Sequence, residues 1–278
     1  MVFEWEFVLK SSLRRYNTGI LVLNMEKHTV NRRNEILKLL TKDESVKTSE
    51  LAENFGVTTE TIRKDFLYLQ ETGVITKLHG KAKLSRASSD TPIDIRTFQM
   101  QEEKYRIAQC ALEMIENNST IFIDGGSTTL EIAKLLSRKE SLVVITTSLS
   151  AANIIAKQNN TVYIASGFVE GPSMIINGPF LYESIAQFKP VISFMGTNGV
   201  LYHQGPTSKN YNDIDAKNAI IKNSTKAVVV CDSSKFHESG MLQYARWEDI
   251  DMLITDAGIP EKSKSDLEKV TRILIANS

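Results

Sequence analysis

A loop of glycine and hydroxyl residues follows a short apolar run near the middle of the chain. The run is Thr120–Ile123, and the loop after it consists of Asp124, Gly125, Gly126, Ser127, Thr128 and Thr129. A strand that breaks at two glycines and enters a helix through hydroxyl residues presents backbone N–H groups and the positive end of the helix dipole to an anion. The pattern therefore predicts an anion site, although Asp-Gly-Gly after a strand also serves as a simple turn.

The second part of the chain alternates apolar, β-branched runs with helical stretches. The runs lie in TIFID, LVVITTS, TVYIASG, VISFMGTNG, KAVVVCD, DMLITD and RILIA. Helical stretches such as STTLEIAKLL, LSAANIIAKQ and FLYESIAQF separate most of them. This alternation predicts a mostly parallel sheet with helices on both faces. Several runs end in Gly, Ser, Thr, Asp or Lys, at the edge where open α/β sheets bind ligands.

The first part of the chain has the pattern of a winged helix-turn-helix. Three amphipathic stretches come first, and they read NRRNEILKLLTKD, KTSELAENFGV and TTETIRKDFLYLQETG. We expect the second helix to be capped by Thr48 or Ser49 and the third by Thr58. VITKLHGKAKL then alternates apolar and polar residues around Gly80, which predicts a two-stranded wing.

The third predicted helix has an apolar side and a polar side, as a DNA recognition helix requires. Ile62, Phe66 and Leu69 would face the core, while polar residues near the N-terminus would reach base edges in the major groove. Basic residues of the wing and of the first helix would contact phosphates. The predicted DNA-binding residues are Arg32, Arg33, Thr58, Thr59, Glu60, Thr61, Arg63, Lys64, Lys77, His79, Lys81 and Lys83. A charged outer face is also compatible with a three-helix module that binds protein.

These segments together resemble the DeoR family of bacterial transcriptional regulators. ETIRKDFLYLQETGVITKLHGKA is similar to the N-terminal signature of the family, except that Lys81 replaces the second glycine of the wing. EKYRIA, IFIDGGSTT, VVITTS, GTNGV, DAKNAII and DSSKF follow in the order of the family. The resemblance covers about residues 31–278. It implies a winged helix on operator DNA and a C-terminal sensor domain similar to ribose-5-phosphate isomerase.

The resemblance also implies where an effector binds, which would be a phosphorylated sugar or a related metabolite. In the similar isomerase fold a strand, a glycine loop and a helix hold the phosphate. Polar residues at the ends of other strands would bind the phosphate and the sugar hydroxyls. The implied ligand-binding residues are Asp124, Gly125, Gly126, Ser127, Thr128, Thr129, Thr146, Thr147, Ser148, Gly196, Gly199, Asp215, Lys217, Asp232 and Lys235.

The same resemblance favours a sensor over an enzyme. Isomerisation of a sugar phosphate needs a carboxylate base at the carbon acid. The similar isomerases carry an acid-rich Asp-Gly-Ala-Asp-Glu turn where this chain has MGTNGV, although Asp213 and the polar residues above remain. We therefore expect no catalytic residues, no metal and no cofactor. The alternatives are a sugar-phosphate isomerase with a fused winged helix, and a regulator whose sensor domain has lost its ligand.

Charge and composition are consistent with a DNA-binding protein. The net charge is zero, but residues 27–86 carry 12 Lys and Arg against 8 Asp and Glu, and residues 87–278 are acidic. Cys110 and Cys231 lie far apart in apolar runs, which predicts reduced thiols rather than a metal site. No run approaches the roughly 20 apolar residues that span a bilayer, so we expect a cytoplasmic protein that does not bind membranes.

The sequence thus predicts an α/β protein with a separate DNA-binding domain. We expect an extra N-terminal segment over residues 1–24, a winged helix-turn-helix over 25–84, a linker over 85–92 and an α/β sensor domain over 93–278. The predicted function is DNA-binding regulation, usually repression, controlled by a phosphorylated sugar. Because such proteins pair two modules to span two half-sites, we expect a homo-oligomer, either a dimer or a tetramer.

Overall fold

The computed structural model describes residues 29, 32, 33, 35–37, 39, 40, 43, 45–71, 75–78, 80–84 and 93–277. The chain divides into two compact units at the boundary between Ser88 and Ser89, which we call the N-terminal unit and the C-terminal unit. The predicted segment 1–24, the predicted linker 85–92 and His79 lie outside the described residues. No helix among the described residues is both long enough and apolar enough to cross a membrane.

The N-terminal unit combines helices with a small antiparallel sheet. Its described elements are β1 Val46–Lys47, α1 Thr48–Asn54, α2 Thr59–Glu71, β2 Ile75–Leu78 and β3 Lys81–Leu84. The described residues between 29 and 40 are helical as well. The sheet has the order β1-β3-β2, and the β2–β3 hairpin turns at Gly80, whose φ of +66° is a conformation that favours glycine. The predicted winged helix-turn-helix is confirmed.

The predicted N-terminal cap is correct for α2 and wrong for α1. At α2 the hydroxyl of Thr58 accepts a hydrogen bond from the backbone N–H of Thr61 at 3.2 Å, as expected for a capping residue. The prediction of a Thr48 or Ser49 cap for α1 was wrong, because Thr48 is already helical and the N-cap position is Lys47. The Thr48 hydroxyl instead donates to the carbonyl of Gly80 at 3.3 Å, so it binds the turn of the wing and does not cap α1.

A buried carboxylate ties the first helix to α2. Ile62, Phe66 and Leu69 are buried as predicted, and Asp65 lies among them on the same side of α2. Its two carboxylate oxygens accept hydrogen bonds from the Nε atoms of Arg32 at 2.7 Å and Arg33 at 2.8 Å. A buried carboxylate is stable only when it is paired in this way.

The C-terminal unit is an α/β domain built around one large parallel sheet. Its helices are α3 Ile93–Phe98, α4 Gln101–Glu113, α5 Ser127–Leu135, α6 Leu149–Ile155, α7 Leu181–Ile185, α8 Ile214–Asn223 and α9 Glu261–Leu267. Its strands are β4 Thr120–Ile123, β5 Val143–Thr146, β6 Thr161–Ile164, β7 Phe168–Glu170, β8 Ile175–Asn177, β9 Ile192–Gly196, β10 Thr207–Ser208, β11 Lys226–Val230, β12 Leu242–Gln243, β13 Met252–Asp256 and β14 Arg272–Ala276.

Seven of these strands form the sheet, in the order β14-β13-β11-β9-β4-β5-β6, and all their pairings are parallel. Two clusters of buried apolar side chains cover its two faces, one around Ile123 and Val144 and the other around Phe122 and Ile145. Neighbouring residues of one strand enter different clusters because side chains alternate across a sheet. The predicted parallel sheet with two covered faces is confirmed.

Two short antiparallel ribbons were not predicted. The β7–β8 pair joins Phe168–Glu170 to Ile175–Asn177, and the β10–β12 pair joins Thr207 and Ser208 to Leu242 and Gln243. These strands have two or three residues each, which is too short for alternation of apolar and polar residues to be recognised.

We expect Asp65→Ala to lower the unfolding free energy of the N-terminal unit by about 3 kcal/mol or more, because the two arginines lose their buried partner. Amide hydrogen exchange of α2 measures this quantity. Glu50→Ala is the matched control, since it removes an exposed carboxylate 2.6 Å from Lys47 in the same unit and should change the exchange little. Equal effects of the two substitutions would contradict a structural role for Asp65.

Candidate functional site

The N-terminal part of α2 presents an exposed polar surface. Thr58, Thr59, Glu60, Arg63 and Lys64 are exposed, as the prediction of a recognition helix requires. Lys77, Lys81 and Lys83 are exposed on the wing strands. Thr61 is half-buried, and its hydroxyl lies 2.9 Å from that of Thr58, so it belongs to the helix cap. Arg63 is available to a ligand because its contact with Glu60 is an exposed pair at 3.5 Å.

Arg32 and Arg33 are placed differently from the other predicted DNA contacts. Both Nε atoms bind Asp65, and the guanidinium of Arg33 also lies over the ring of Tyr68 at 3.8 Å from the centroid. Their main contacts are therefore inside the N-terminal unit. Sequence spacing could not show this, because Asp65 lies more than 30 residues further along the chain.

In the C-terminal unit the glycine loop lies at the point where the order of the strands reverses. The chain passes from β4 outward to β5 and β6, and then returns to β9 on the other side of β4. Such a reversal opens a crevice at the carboxyl ends of the two central strands, where α/β domains bind ligands. Asp124 follows β4 and Gly196 ends β9, and the N–H of Gly196 donates to Oδ2 of Asp124 at 2.9 Å.

Asp124 is also paired with a buried lysine from the opposite side of the crevice. Lys217 of α8 donates through Nζ to Oδ2 of Asp124, and the same Nζ lies 3.8 Å from Oδ2 of Asp213. Ser208 donates to Asp213 at 3.0 Å, whereas Oδ1 of Asp213 has no hydrogen-bond partner among the described residues. The crevice therefore holds one cation between two carboxylates, with an acceptor left over.

The protonation states of this cluster follow from burial and charge. Burial raises the pKa of Asp213 to about 6, and the nearby Asp124 adds to the rise against the opposing effect of Lys217. Burial acts to lower the pKa of Lys217, but the carboxylates of Asp124 and Asp213 outweigh it and raise that pKa, so Lys217 stays charged. The carboxyl of Asp213 is thus the group that changes charge near neutral pH.

The hydroxyl residues at this edge divide into two sets. The hydroxyls of Thr129 and Thr146 donate to backbone carbonyls of Asp124 and Ile123 at 2.7 Å each, so they fix the loop and the strand ends. Ser148 caps α6 by accepting from the N–H of Ala151. These three positions were predicted to contact ligand, and the structure commits their hydroxyls to the fold instead.

The second set is not committed to the fold in this way. The hydroxyls of Ser127 and Thr128, in the first turn of α5, have no hydrogen-bond partner among the described residues. The first N–H groups of that turn lack intrahelical acceptors, as they do in any helix. Thr147 lines the crevice, where its hydroxyl is 3.5 Å from Oδ1 of Asp124.

The crevice is nearly closed in this structure. The free volume beside Asp124 and Lys217 is about 10 Å³, measured for the centre of a water-sized sphere, which is room for about one water molecule. Ile175 of β8 fills the entrance, since a Cβ atom added to Gly125 would lie 2.5 Å from Cγ1 of Ile175. Ile175, and the β7–β8 hairpin that carries it, therefore border the space that a larger ligand would need.

A buried cation that sequence reasoning missed, Lys104, lies at the same edge. Lys104 of α4 is buried and donates to the carbonyls of Arg96 and Gln99, and its Nζ is 3.7 Å from Oδ2 of Asp232. Burial lowers the pKa of Lys104 to about 8, and the charges of Lys235 and Arg96 lower it further against the effect of Asp232. The signal was present in the sequence: Lys104 lies on the apolar stripe of its helix with Ile107, Ala108 and Ala111, where a charged residue must find a partner.

Two of the predicted ligand residues, Asp232 and Lys235, lie beside Lys104. Asp232 is buried, and its Oδ2 accepts no hydrogen bond among the described residues, while Oδ1 accepts from the N–H and the hydroxyl of Ser234. Lys235 pairs with the exposed carboxylate of Glu238 at 2.8 Å.

Two predicted ligand residues are not part of the crevice. Asp215 is exposed. Its predicted place beside Lys217 is taken by Asp213, which lies one helical turn before Lys217. Gly199 packs against the Glu238 backbone, where a Cβ atom would lie 2.1 Å from the carbonyl oxygen, so glycine is needed there for close packing. Neither residue lies in position for the predicted contact.

Two family models match the chain and together span both units. The model described as the DeoR-like helix-turn-helix domain matches residues 32–87. The model described as the DeoR C terminal sensor domain matches residues 99–257.

Curated relatives match over most of their length. The "Glycerol-3-phosphate regulon repressor" of Escherichia coli is 34% identical over 230 residues, which cover 82% of this chain and 91% of the relative. The "HTH-type transcriptional regulator GolR" of Listeria innocua is 32% identical over 227 residues, which cover 81% and 89%. Among solved structures, ribose 5-phosphate isomerase A of Methanocaldococcus jannaschii matches 49% of this chain and 54% of its own, with 16% identity and a TM-score of 0.36.

We compare the unfolding free energies of the Asp213→Asn variant and the unsubstituted chain. We expect the variant's value to increase relative to that of the unsubstituted chain as the pH rises from about 4 to 7. Because the pKa of Asp213 is raised on folding, the folded state keeps a proton that the unfolded chain releases in this range, and stability falls as pH rises. A shift from 3.8 to about 6 corresponds to about 3 kcal/mol. Urea unfolding at pH 4 and pH 7, followed by fluorescence, measures both proteins. A difference between them that is the same at both pH values would contradict the assignment.

Proposed function

The chain belongs to the DeoR family of transcriptional regulators, and we propose that it represses transcription by binding operator DNA through α2 and the wing, until a phosphorylated sugar or related metabolite binds at the glycine loop. The family assignment confirms the prediction of a DNA-binding regulator over the alternative of an isomerase with a fused winged helix. We propose repression as the direction of regulation because relatives such as the E. coli repressor above are repressors.

The exposed start of α2 supports direct reading of DNA bases. The side chains of Arg63 and Lys64 are on the solvent side of a helix whose opposite side is buried, so the helix can enter a groove without disturbing the core. Lys81 and Lys83 extend the positive surface onto the wing. Arginine suits guanine recognition because its planar guanidinium can donate two hydrogen bonds to one base edge.

One observation carries the proposal of a phosphorylated effector. The unsatisfied first turn of α5 lies beside the glycine loop at the reversal point of the sheet, and buried Lys104 and Lys217 lie at the same edge. Backbone N–H groups at a helix start and buried cations are both donors that a phosphate dianion accepts. The carboxylates of Asp124 and Asp213 are acceptors suited to the hydroxyl groups of a sugar or polyol.

The β7–β8 hairpin connects this site to the segment that follows the linker. Its Ile175 fills the mouth of the crevice, and the carbonyl of Pro172, in its turn, accepts a hydrogen bond from the N–H of Ile93 at 2.9 Å. Ile93 begins α3, the first described helix after residue 84. A ligand that displaces the hairpin therefore acts on the segment that follows the linker, which is the differential contact that coupling between two sites requires.

We expect Arg63→Ala to weaken binding to the operator by about 1–3 kcal/mol and binding to random DNA much less, because a base contact is lost. Lys81→Ala should weaken binding to both DNAs alike and reduce the salt slope by about one, because a phosphate contact is lost. An operator selected from a random pool and a scrambled duplex of equal length, compared at several salt concentrations, provide the test. Equal losses for Arg63→Ala on both duplexes would contradict base reading.

We expect glycerol 3-phosphate or another sugar phosphate to release the operator, and the corresponding compound without phosphate to have no effect. Gly126→Leu should abolish the response and retain operator binding. Residue 126 has an extended backbone, and a Cβ atom there would meet only the Thr129 hydroxyl, at 3.4 Å, so the fold accommodates a side chain that blocks approach of a phosphate.

Titration of the operator complex with a panel of sugar phosphates, with product analysis of the same samples, tests this prediction. Unchanged thermal unfolding and operator affinity of Gly126→Leu serve as its controls. Release by the dephosphorylated compounds would contradict a phosphate site, and formation of an isomerised product would contradict a pure sensor.

A further inference from the structure

The strand β6 leaves an apolar edge of the large sheet open. It is last in the strand order, and no described residue pairs with its outer side. Tyr163 and Ile164 are each 50% exposed. On the strand at the opposite edge, β14, the apolar residues Ile273–Ile275 are all half-buried. Soluble proteins protect such edges with charges, prolines or a covering element, and β6 has no charge or proline of its own.

The backbone of β6 shows which groups are open. The N–H of Thr161 donates to Leu142 at 2.9 Å and the N–H of Ala165 donates to Thr146 at 3.0 Å, so alternate residues from 161 to 165 face β5. Val162 and Ile164 must therefore direct their N–H and C=O groups outward. Beyond them the N–H of Ser166 is bound to the hydroxyl of Ser184 at 3.0 Å. The open edge thus comprises Val162 to Ile164.

Exposed aromatic residues continue the apolar surface beyond this edge. The ring of Tyr163 lies 5.6 Å from that of Phe188, and the Ser166–Ser184 bond brings the end of β6 to α7. Phe168, Phe180 and Tyr182, on and beside these segments, are each half-exposed or more. With half of about 150–250 Å² exposed on each of Tyr163, Phe168, Phe180 and Tyr182, the surface amounts to roughly 300–500 Å², about half of the ~800 Å² that each partner of a stable complex buries.

The edge is also free of charge over a long stretch. No Asp, Glu, Lys or Arg occurs from Gln158 to Val169, in a chain of which 24% is charged. The centre of this stretch is at Tyr163 and Ile164. A second copy running antiparallel about Tyr163 would therefore place an uncharged residue opposite every residue from Gln158 to Phe168, with no like charges opposed.

We propose that two copies of this chain associate through their β6 edges about a twofold axis at Tyr163. Val162 of each copy then pairs with Ile164 of the other, and the four outward N–H and C=O pairs form main-chain hydrogen bonds. The two Tyr163 residues face one another at a non-hydrogen-bonded position. The register is self-consistent, since the residues that direct their backbone groups outward are those that this axis brings into hydrogen-bonded pairs.

A second copy suits this surface better than other occupants. A symmetric contact uses the same surface twice, and the open edge, the uncharged stretch and the aromatic residues are centred on or adjacent to one point. Association would also supply the two winged helices that a pair of operator half-sites requires. The apolar segment Gly19–Asn24 of the same chain is the competing occupant, and it is distinguishable by experiment.

Sedimentation equilibrium of the full chain tests the surface. Ile164→Lys should raise the dimer dissociation constant at least about tenfold, since burial of a side chain of this size contributes about 1.5–3 kcal/mol and two lysines would meet near the axis. Met241→Lys, at a more exposed apolar position of the same unit (66% against 50%), is the control and should leave the constant unchanged. Unchanged association of Ile164→Lys, or an unsubstituted chain that is monomeric at micromolar concentration, would overturn the proposal.

Crosslinking tests the axis. Cα atoms of a non-hydrogen-bonded antiparallel pair lie about 4.5 Å apart, within the range that a disulfide spans. Tyr163→Cys should therefore form a covalent dimer when oxidised with diamide, whereas Tyr182→Cys, with the same 50% exposure, should not. The unsubstituted chain, which contains Cys110 and Cys231, gives the background. No excess crosslinking of Tyr163→Cys over Tyr182→Cys would overturn the register.

A chain that starts at Met25 separates the two occupants. It should associate as the full chain does, and its Tyr163→Cys variant should crosslink equally well. If it associates while the full chain remains monomeric, the leading segment covers β6 and the proposal is wrong. If Ile164→Lys fails to fold by thermal unfolding, the crosslinking comparison alone decides.

Discussion

The buried contact between Asp124 and Lys217 is the interaction on which the C-terminal site depends. Asp124 follows β4, Lys217 comes from α8, and the N–H of Gly196 at the end of β9 completes the contact. A buried carboxylate and a buried ammonium each carry a large desolvation penalty that only close pairing offsets. The pair therefore fixes the two central strands and α8 relative to one another at the point where the sheet reverses direction. A ligand that enters must compete for groups that already neutralise each other, which makes binding and rearrangement inseparable.

The closed crevice explains why such a domain can act as a switch. Ile175 occupies the space beside the glycine loop, and β8 is held there by the hydrogen bond from the N–H of Ile176 to the carbonyl of Thr147 and by its bridge to Ser148. A ligand can favour a form in which Ile175 has left the crevice only if its own contacts there are stronger than those that the hairpin makes now. The hydrogen bond from Ile93 to Pro172 connects the first helix after the linker to the same hairpin.

Electrostatics serves different purposes in the two units. In the N-terminal unit, Asp65 pairs with both Arg32 and Arg33, so these arginines contribute to folding, while the exposed Arg63 and the wing lysines remain available to DNA. In the C-terminal unit, Lys104 is held near Asp232, with Arg96 and Lys235 close enough to depress its pKa. The first arrangement is complete by itself. The second leaves Oδ2 of Asp232 without a hydrogen-bond donor at the edge of the sheet, an acceptor that suits the hydroxyl group of a ligand.

The sequence by itself determined the winged helix, the parallel sheet and the position of the glycine loop. Each follows from local patterns: the spacing of Ile62, Phe66 and Leu69, the β-branched runs, and a strand that breaks at Gly125 and Gly126. The tertiary structure decided which polar residues are available. Thr129, Thr146 and Ser148 use their hydroxyls within the fold, Asp213 replaces Asp215, and Lys104 joins the site. Hydrogen-bond partners and burial depend on residues far apart in the chain, such as Asp124 and Lys217. Spacing along a sequence specifies the direction of a side chain on its own helix or strand, whereas its partner is set by how separate elements pack.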